Sequence, residues 1–354
     1  MARHGRSSGT GQMSASPAPP SASRSTQVLP ATSPARAKAA AVVAGRLIGE
    51  GKVVAFPTET VYGLGADAGN PRAVAEVYAA KGRPAFNPLI SHVPDLAAAE
   101  QLGVLNADAV KLARAFWPGP LTLVVPCRDT DAICDLARAG LSTTALRVPN
   151  HPAALAFLAA AGRPVVGPSA NRSGHVSPTT AAHVMADLDG RIDAVLDAGP
   201  TMVGVESTIV DCSGDEPRLL RPGGLARADI EAVLGRPLPD AAGGDEAKPS
   251  APGRLASHYA PNATVRLDVA EVRPGEALLT FAGHRPTGSE SAAFVYDLSP
   301  AGDLAEAASR LYGALRAIDA RGAAGIAVVP LPREGLGEAI ADRLGRAAAP
   351  RPHD

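Results

Sequence analysis

Two short segments pair polar side chains two residues apart. In Lys81-Gly82-Arg83-Pro84, Pro84 biases Arg83 away from helical angles, and residues two apart on extended chain face the same way, so Lys81 and Arg83 are expected to project side by side. In Gly167-Pro168-Ser169-Ala170-Asn171-Arg172-Ser173-Gly174 an apolar strand runs out into small and polar residues, with Ser169 and Asn171 on one face. Two cations joined by a hydroxyl and an amide are the chemistry of a polyanion site, such as one for nucleotide phosphates, and ligands sit at strand ends in open α/β sheets. Each pair also has a plainer reading. Lys and Arg at a helix C-terminus compensate its dipole, and Ser and Asn in a polar turn hydrogen-bond their own backbone.

Two further strand ends carry functional side chains. Phe56-Pro57-Thr58-Glu59-Thr60-Val61-Tyr62-Gly63-Leu64-Gly65 passes from a strand into a loop rich in hydroxyls and glycine. It lacks G-x-x-x-x-G-K-[ST], so a triphosphate here would be held by side chains from several loops and not by a P-loop. Leu220-Arg221-Pro222-Gly223 ends another apolar strand in an arginine, which is also commonplace on a surface.

The elements that must position these groups alternate irregularly. Residues 1–34, rich in Ser, Pro, Ala, Gly and Thr, have too few large apolar residues to offset the entropy of ordering and are expected to form a disordered tail. Structure is expected from Ser33 and Pro34, an N-cap and first-turn proline, into an Ala-rich helix ending near Gly51. Strands are expected at 53–57, 89–93, 121–125, 141–148, 165–168, 194–196, 207–211 and 218–221, with helices opened by Asn70-Pro71, at 106–117 and after Ser177-Pro178. Short turns between several strands favour a twisted mixed sheet over a strict βαβ series, in a domain spanning 35–235. A Pro-, Gly-, Ala- and Asp-rich linker follows over 236–262. Residues 263–350 then read as a smaller Rossmann-like α/β domain, with a long helix over 303–321. It lacks G-x-G-x-x-G after a strand, so no dinucleotide site is assigned to it.

Composition excludes some classes. A formal charge of −1 over 354 residues argues against a broadly basic surface, so no stable nucleic-acid binding is expected. An aromatic content of 3% also weighs against base stacking. Cys127, Cys134 and Cys212 fit no metal pattern and read as reduced, buried thiols of a cytoplasmic protein. No run approaches the ~20 apolar residues needed to span a bilayer, so no membrane association is expected.

Together the motifs resemble the threonylcarbamoyl-AMP synthases, the Sua5, YrdC and TsaC family. The resemblance rests on the segments beginning at Phe56, Lys81 and Pro168, on Asn87-Pro-Leu-Ile, Pro118-Gly-Pro-Leu-Thr, Leu146-Arg-Val-Pro and Glu206-Ser-Thr, and on Leu220-Arg-Pro-Gly. Pro252-Gly253, His258-Tyr-Ala-Pro and the trailing domain resemble the two-domain Sua5 form. The resemblance implies a YrdC-like fold and a nucleotidyltransferase that converts L-threonine, bicarbonate and ATP to threonylcarbamoyl-AMP and diphosphate, for a tRNA modification next to the anticodon. It implies catalytic roles for Lys81 and Arg83, and nucleotide contacts from Arg83, Asn87, Thr143, Ser169, Asn171, Thr179, Arg221 and Tyr259. Thr60, His92, Arg147 and Ser207 would bind L-threonine. Mg2+ would arrive with ATP, and the product would pass to the tRNA threonylcarbamoyl-transfer machinery. An RNA-binding module is a competing reading. So is carbamoyl transfer in metalloenzyme maturation, although the zinc-finger and acylphosphatase-like segments of such fusions are not visible.

Overall fold

The computed structural model describes residues 25–83, 87–241 and 259–350; Pro84, Pro252-Gly253 and His258, and the expectations placed on residues 1–24 and the middle of the linker, lie outside these. The first domain contains β1 (Gln27–Pro30), α1 (Pro34–Gly49), β2 (Val54–Phe56), β3 (Gly63–Asp67), α2 (Pro71–Lys81), β4 (Ile90–His92), α3 (Leu96–Leu102) and α4 (Ala107–Phe116). It continues with β5 (Leu121–Pro126), α5 (Asp135–Arg138), β6 (Thr143–Arg147), α6 (Pro152–Ala161), β7 (Val165–Val166), α7 (Ala181–Leu188), β8 (Ala194–Asp197), β9 (Thr208–Asp211), β10 (Arg218–Arg221) and α8 (Arg227–Leu234).

Ten strands form one mixed sheet in the order β1-β8-β2-β3-β7-β4-β6-β5-β9-β10. Strand alternation separates its two faces. Val54 and Phe56 pack with α1 and α6, whereas Ala55 joins the larger core on the other face, with Val74, Val77 and Leu112. Local chemistry sets the helix starts. Ser33 caps α1 by accepting from the Arg36 amide, Asn70 caps α2 by accepting from the Arg72 and Ala73 amides, and Gly82 ends α2 in the left-handed region at φ 61°.

The N-terminal boundary is corrected. Residues 27–30 pair in parallel with β8, Thr26 Oγ1 donates to the Ile192 carbonyl, and Leu29 is buried. Four residues carry too little apolar signal to read as a strand, and it is the edge of β8 that supplies their hydrogen bonds. The linker is shorter than expected. Leu238 lies in the first core and the Ala241 amide donates to the Leu219 carbonyl, so the first domain extends to Ala241. The helix expected after Ser177 and Pro178 is α7, which opens at a Thr180 cap. Elements without a sequence expectation include the short helices α3, α5 and α8, strand β3, with two glycines, and α6, which is apolar on every side. Of the cysteines, which are all free, only Cys212 is fully buried.

The second domain holds β11 (Thr264–Arg266), β12 (Glu276–Thr280), β13 (Phe294–Asp297), α9 (Leu304–Arg321), β14 (Gly325–Val328) and α10 (Leu336–Ala348). Its four strands are parallel, in the order β11-β14-β12-β13. Its core takes in Val61, Val176 and Val205 of the first domain. Gly204 lets the two backbones meet: at φ 78°, a Cβ there would lie 2.4 Å from Ser309 Cα. Arg316 pairs with Asp187, Arg227 with Glu338 and Arg343 with Glu206 across the same junction. No helix among the described residues is long and apolar enough to cross a membrane.

The edge strand β1 is expected to contribute to stability. Leu29→Ala should lower the unfolding free energy by about 2 kcal/mol or more in urea titration. An unchanged midpoint would show that the strand is dispensable.

Candidate functional site

A cavity lies where several strand ends and loops of the first domain converge, lined by Arg83, Arg147, Ser169, Glu206, Ser207, Arg221 and Tyr259 among others. Register explains the gathering. β4 and β6 are parallel neighbours with His92 opposite Arg147, and Ser207 precedes β9 while Arg221 ends its antiparallel partner β10. Ser169 follows β7 and bridges to Gly63.

The site is dominated by cations withdrawn from water. Lys81, Arg83, Arg147 and Arg221 are all buried, with carboxylates at Glu59 and Glu206. Lys81 Nζ donates to the Ser169 and Asn171 carbonyls at 2.5 Å, and Arg83 donates to the Asn87 and Pro88 carbonyls at 3.4 and 3.3 Å. Among the described residues neither has a carboxylate partner. Burial pushes the Lys81 ammonium well below its ordinary pKa and takes Arg83 down to about 10, and repulsion between the two adds to the fall in Lys81. Burial also lowers Arg221, which donates to the Ser207 carbonyl and hydroxyl. A bound polyanion would reverse these penalties.

The two sequence pairs do come together, though by another route. Lys81 is the last helical residue and Gly82 is left-handed, so a turn and not extended chain carries the backbone from Lys81 to Arg83. Lys81 is also buried at 3% exposure, not in an open cleft. Backbone carbonyls of Ser169 and Asn171, not their side chains, receive it. The Asn171 amide turns back to donate to the Arg172 and His175 carbonyls, as in a plain polar turn, while Ser169 lines the cavity.

Arg147 donates to Thr60 Oγ1 at 2.9 Å and pairs with Glu59 at 2.8 Å, so Thr60, Arg147, Ser207 and His92 form one neighbourhood. Thr122 Oγ1 and Ser207 Oγ share a hydrogen bond. His92 stands edge-on to Phe56 and is held neutral, with burial first and Arg147 second lowering its pKa to about 3. Several buried polar atoms have no hydrogen-bond partner among the described residues: His92 Nδ1, Ser91 Oγ, Arg83 Nε, Asn171 Oδ1 and both polar atoms of the Asn87 amide. Buried orphans of this kind mark groups that a ligand or water would satisfy. Thr143 and Thr179 stand apart. Thr143 lines a separate small cavity with Arg138, and Thr179 bonds His183.

Tyr259, at φ 61° and 1% exposed, lies over the cavity. The cavity measures about 40 Å3, room for water but not for a nucleotide. Among the described residues, no group of three or more His, Cys, Asp and Glu could hold a metal ion. Sequence reasoning passed over Glu59 and Glu206, although each stood inside a quoted motif beside hydroxyl residues. Tyr312 and Arg343, from α9 and α10, gave no signal at all.

Residues 46–223 match the Sua5, YciO and YrdC family profile described as "Telomere recombination", and residues 225–349 match "Threonylcarbamoyl-AMP synthase, C-terminal domain". The chain is 44% identical to the threonylcarbamoyl-AMP synthase of Bacillus subtilis over 87% of its own length and 92% of the relative's. It is 42% identical to that of Pyrococcus abyssi, over 87% and 94% of the two lengths. The crystal structure of P. abyssi Sua5 complexed with L-threonine superposes with a TM-score of 0.80 at 38% identity, covering 88% of this chain and 94% of that one.

Acid should destabilise the fold through its buried histidines. His92 falls to about 3 and His183 to about 4, both below the ordinary 6.5, so the unfolded chain binds protons that the folded chain excludes. The histidine contribution to stability is then complete above pH 6.5 and falls as pH drops toward 4. The lowered carboxyl of Glu206, about 2 against 4.5, adds a loss of the same sign at lower pH. Urea midpoints should fall as pH drops below 6.5, with a shallower fall in His92→Gln. A midpoint constant down to pH 4 would contradict this.

Proposed function

The chain belongs to the threonylcarbamoyl-AMP synthase family in its two-domain Sua5 form, and from that premise we propose how its buried cations serve the reaction. It is a nucleotidyltransferase that makes threonylcarbamoyl-AMP. We read its substrates as L-threonine, bicarbonate and ATP, and its second product as diphosphate. The observation that carries this reading is that Lys81 and Arg83 are buried, held by carbonyl oxygens, beside a cavity with orphaned polar groups.

The amine of threonine adds bicarbonate with loss of water to form a carbamate. A carbamate oxygen then attacks the α-phosphorus of ATP, and diphosphate leaves with the electrons of the broken P–O bond. Both partners are anions, so the protein must chiefly align them and offset their repulsion in a site with little water. Lys81 and Arg83 suit the contact between carbamate and α-phosphate, and Arg221 suits the outer phosphates, where a guanidinium fork makes paired charge-assisted bonds. Mg2+ would enter as part of the ATP complex.

Arg147, a buried guanidinium on the cavity wall, is the natural partner of the threonine carboxylate. In this chain Glu59 already neutralises Arg147, so threonine must share the guanidinium with Glu59 or displace it. Thr60 and Ser207 offer hydroxyls to the substrate's own hydroxyl, and neutral His92 offers an unpartnered Nδ1. Asn87, Ser169 and Asn171 would line the nucleotide. Thr143 and Thr179 would reach it only after local movement, since neither faces the present cavity. Tyr259 would have to shift to admit ATP and would then cover the mixed anhydride against hydrolysis. The product serves the N6-threonylcarbamoyladenosine modification beside the anticodon of tRNAs reading ANN codons, through hand-over to the transfer machinery.

Purified protein should release diphosphate from ATP only when threonine and bicarbonate are both present. Equal release without threonine would overturn the reading. Lys81→Met, which keeps the buried volume, should cut product formation by about 100-fold or more without unfolding the chain. Normal turnover in that variant would remove Lys81 from the mechanism.

A further inference from the structure

Glu206 lies on the cavity wall beside Arg221, where it would face the phosphates of a bound nucleotide. A carboxylate there repels the ligand and, being buried, is costly unless its charge is met. Its partners come largely from the second domain. Arg343 Nε on α10 donates to Oε2 at 2.6 Å and Tyr312 OH on α9 donates to the same oxygen at 2.9 Å, while Ser177 Oγ donates to Oε1 at 2.5 Å. Arg343 is fully buried, a position arginine rarely takes without a specific partner. Its Nη1 donates to the Pro222 carbonyl, next to Arg221, and to Asp342.

The same two residues hold Tyr259. Its ring stacks on Tyr312 with centroids 5.8 Å apart, and the Arg343 guanidinium stands 5.0 Å from its centroid. Arg343 therefore touches the wall and the cover of the cavity at once.

We propose that the second domain completes the nucleotide site electrostatically: Arg343 is a positioning residue that neutralises Glu206 and seats Tyr259, so that Arg221 keeps its charge for the phosphates. Without Arg343, Glu206 pairs with Arg221 instead, and ATP must break that pair to bind. The low pKa of Glu206, about 2, with Arg343 as the foremost influence opposing burial, agrees with a carboxylate held ionised by this contact. The loss should appear in ATP affinity more than in affinity for threonine, since Arg147 and Thr60 lie outside the contact.

This inference rests on the adenylation reading. If wild type fails to release diphosphate from ATP with threonine and bicarbonate, that reading falls; if wild type is active, the variants test the inference alone. In the full-length enzyme, Arg343→Met should raise KM for ATP at least tenfold, with KM for threonine changed less than threefold. Arg343→Met combined with Glu206→Gln removes both charges and should return the ATP KM most of the way to wild type, which a purely structural role for Arg343 would not allow. An unchanged ATP KM in the single variant, or a double variant no better than the single, overturns the proposal. Should Arg343→Met not fold by circular dichroism, Arg343→Lys carries the test. An ATP KM within about threefold of wild type supports charge compensation, and a tenfold rise overturns it.

Discussion

Taking a guanidinium or ammonium out of water is costly, and the first domain does it four times within one neighbourhood, at Lys81, Arg83, Arg147 and Arg221. Each needs oxygen partners in fixed places. The chain provides them from strand ends and the turns that follow: the carbonyls of Ser169 and Asn171 for Lys81, those of Asn87 and Pro88 for Arg83, Glu59 for Arg147 and Ser207 for Arg221. The irregular order of the mixed sheet follows from the same need. It brings β4, β6, β9 and β10 into positions where residues far apart in sequence end around one cavity.

The cost explains the chemistry. A site whose cations are desolvated and only partly compensated favours a ligand with several negative charges, and adenylation of a carbamate brings two anions together. The same burial lowers the His92 pKa, so the fold is expected to lose stability in acid.

The junction between domains belongs to this electrostatic arrangement. Tyr259, Tyr312 and Arg343 meet around Glu206, so the second domain reaches the candidate site through a carboxylate of the first. Gly204 allows the backbone approach that the contact requires.

Much of this was legible in the sequence. Caps at Ser33 and Asn70, Gly82 at the end of α2, and the apolar strands around Leu121, Ala194 and Ala277 fix elements by local sterics and hydrogen bonding, which operate over a few residues. The motifs that carry Lys81, Arg83, Arg147 and Arg221 were likewise continuous stretches. Other features depend on partners distant in sequence and leave no local trace. β1 is a strand because β8 offers an edge, and β3 is one because β2 and β7 pair with it. Lys81 meets backbone carbonyls 88 and 90 residues away. Arg343 sits 137 residues from the carboxylate it neutralises. Residue types and local spacing determined which groups are available for chemistry; long-range pairing alone decided which are buried together, because the cost of desolvating a charge depends on everything that surrounds it.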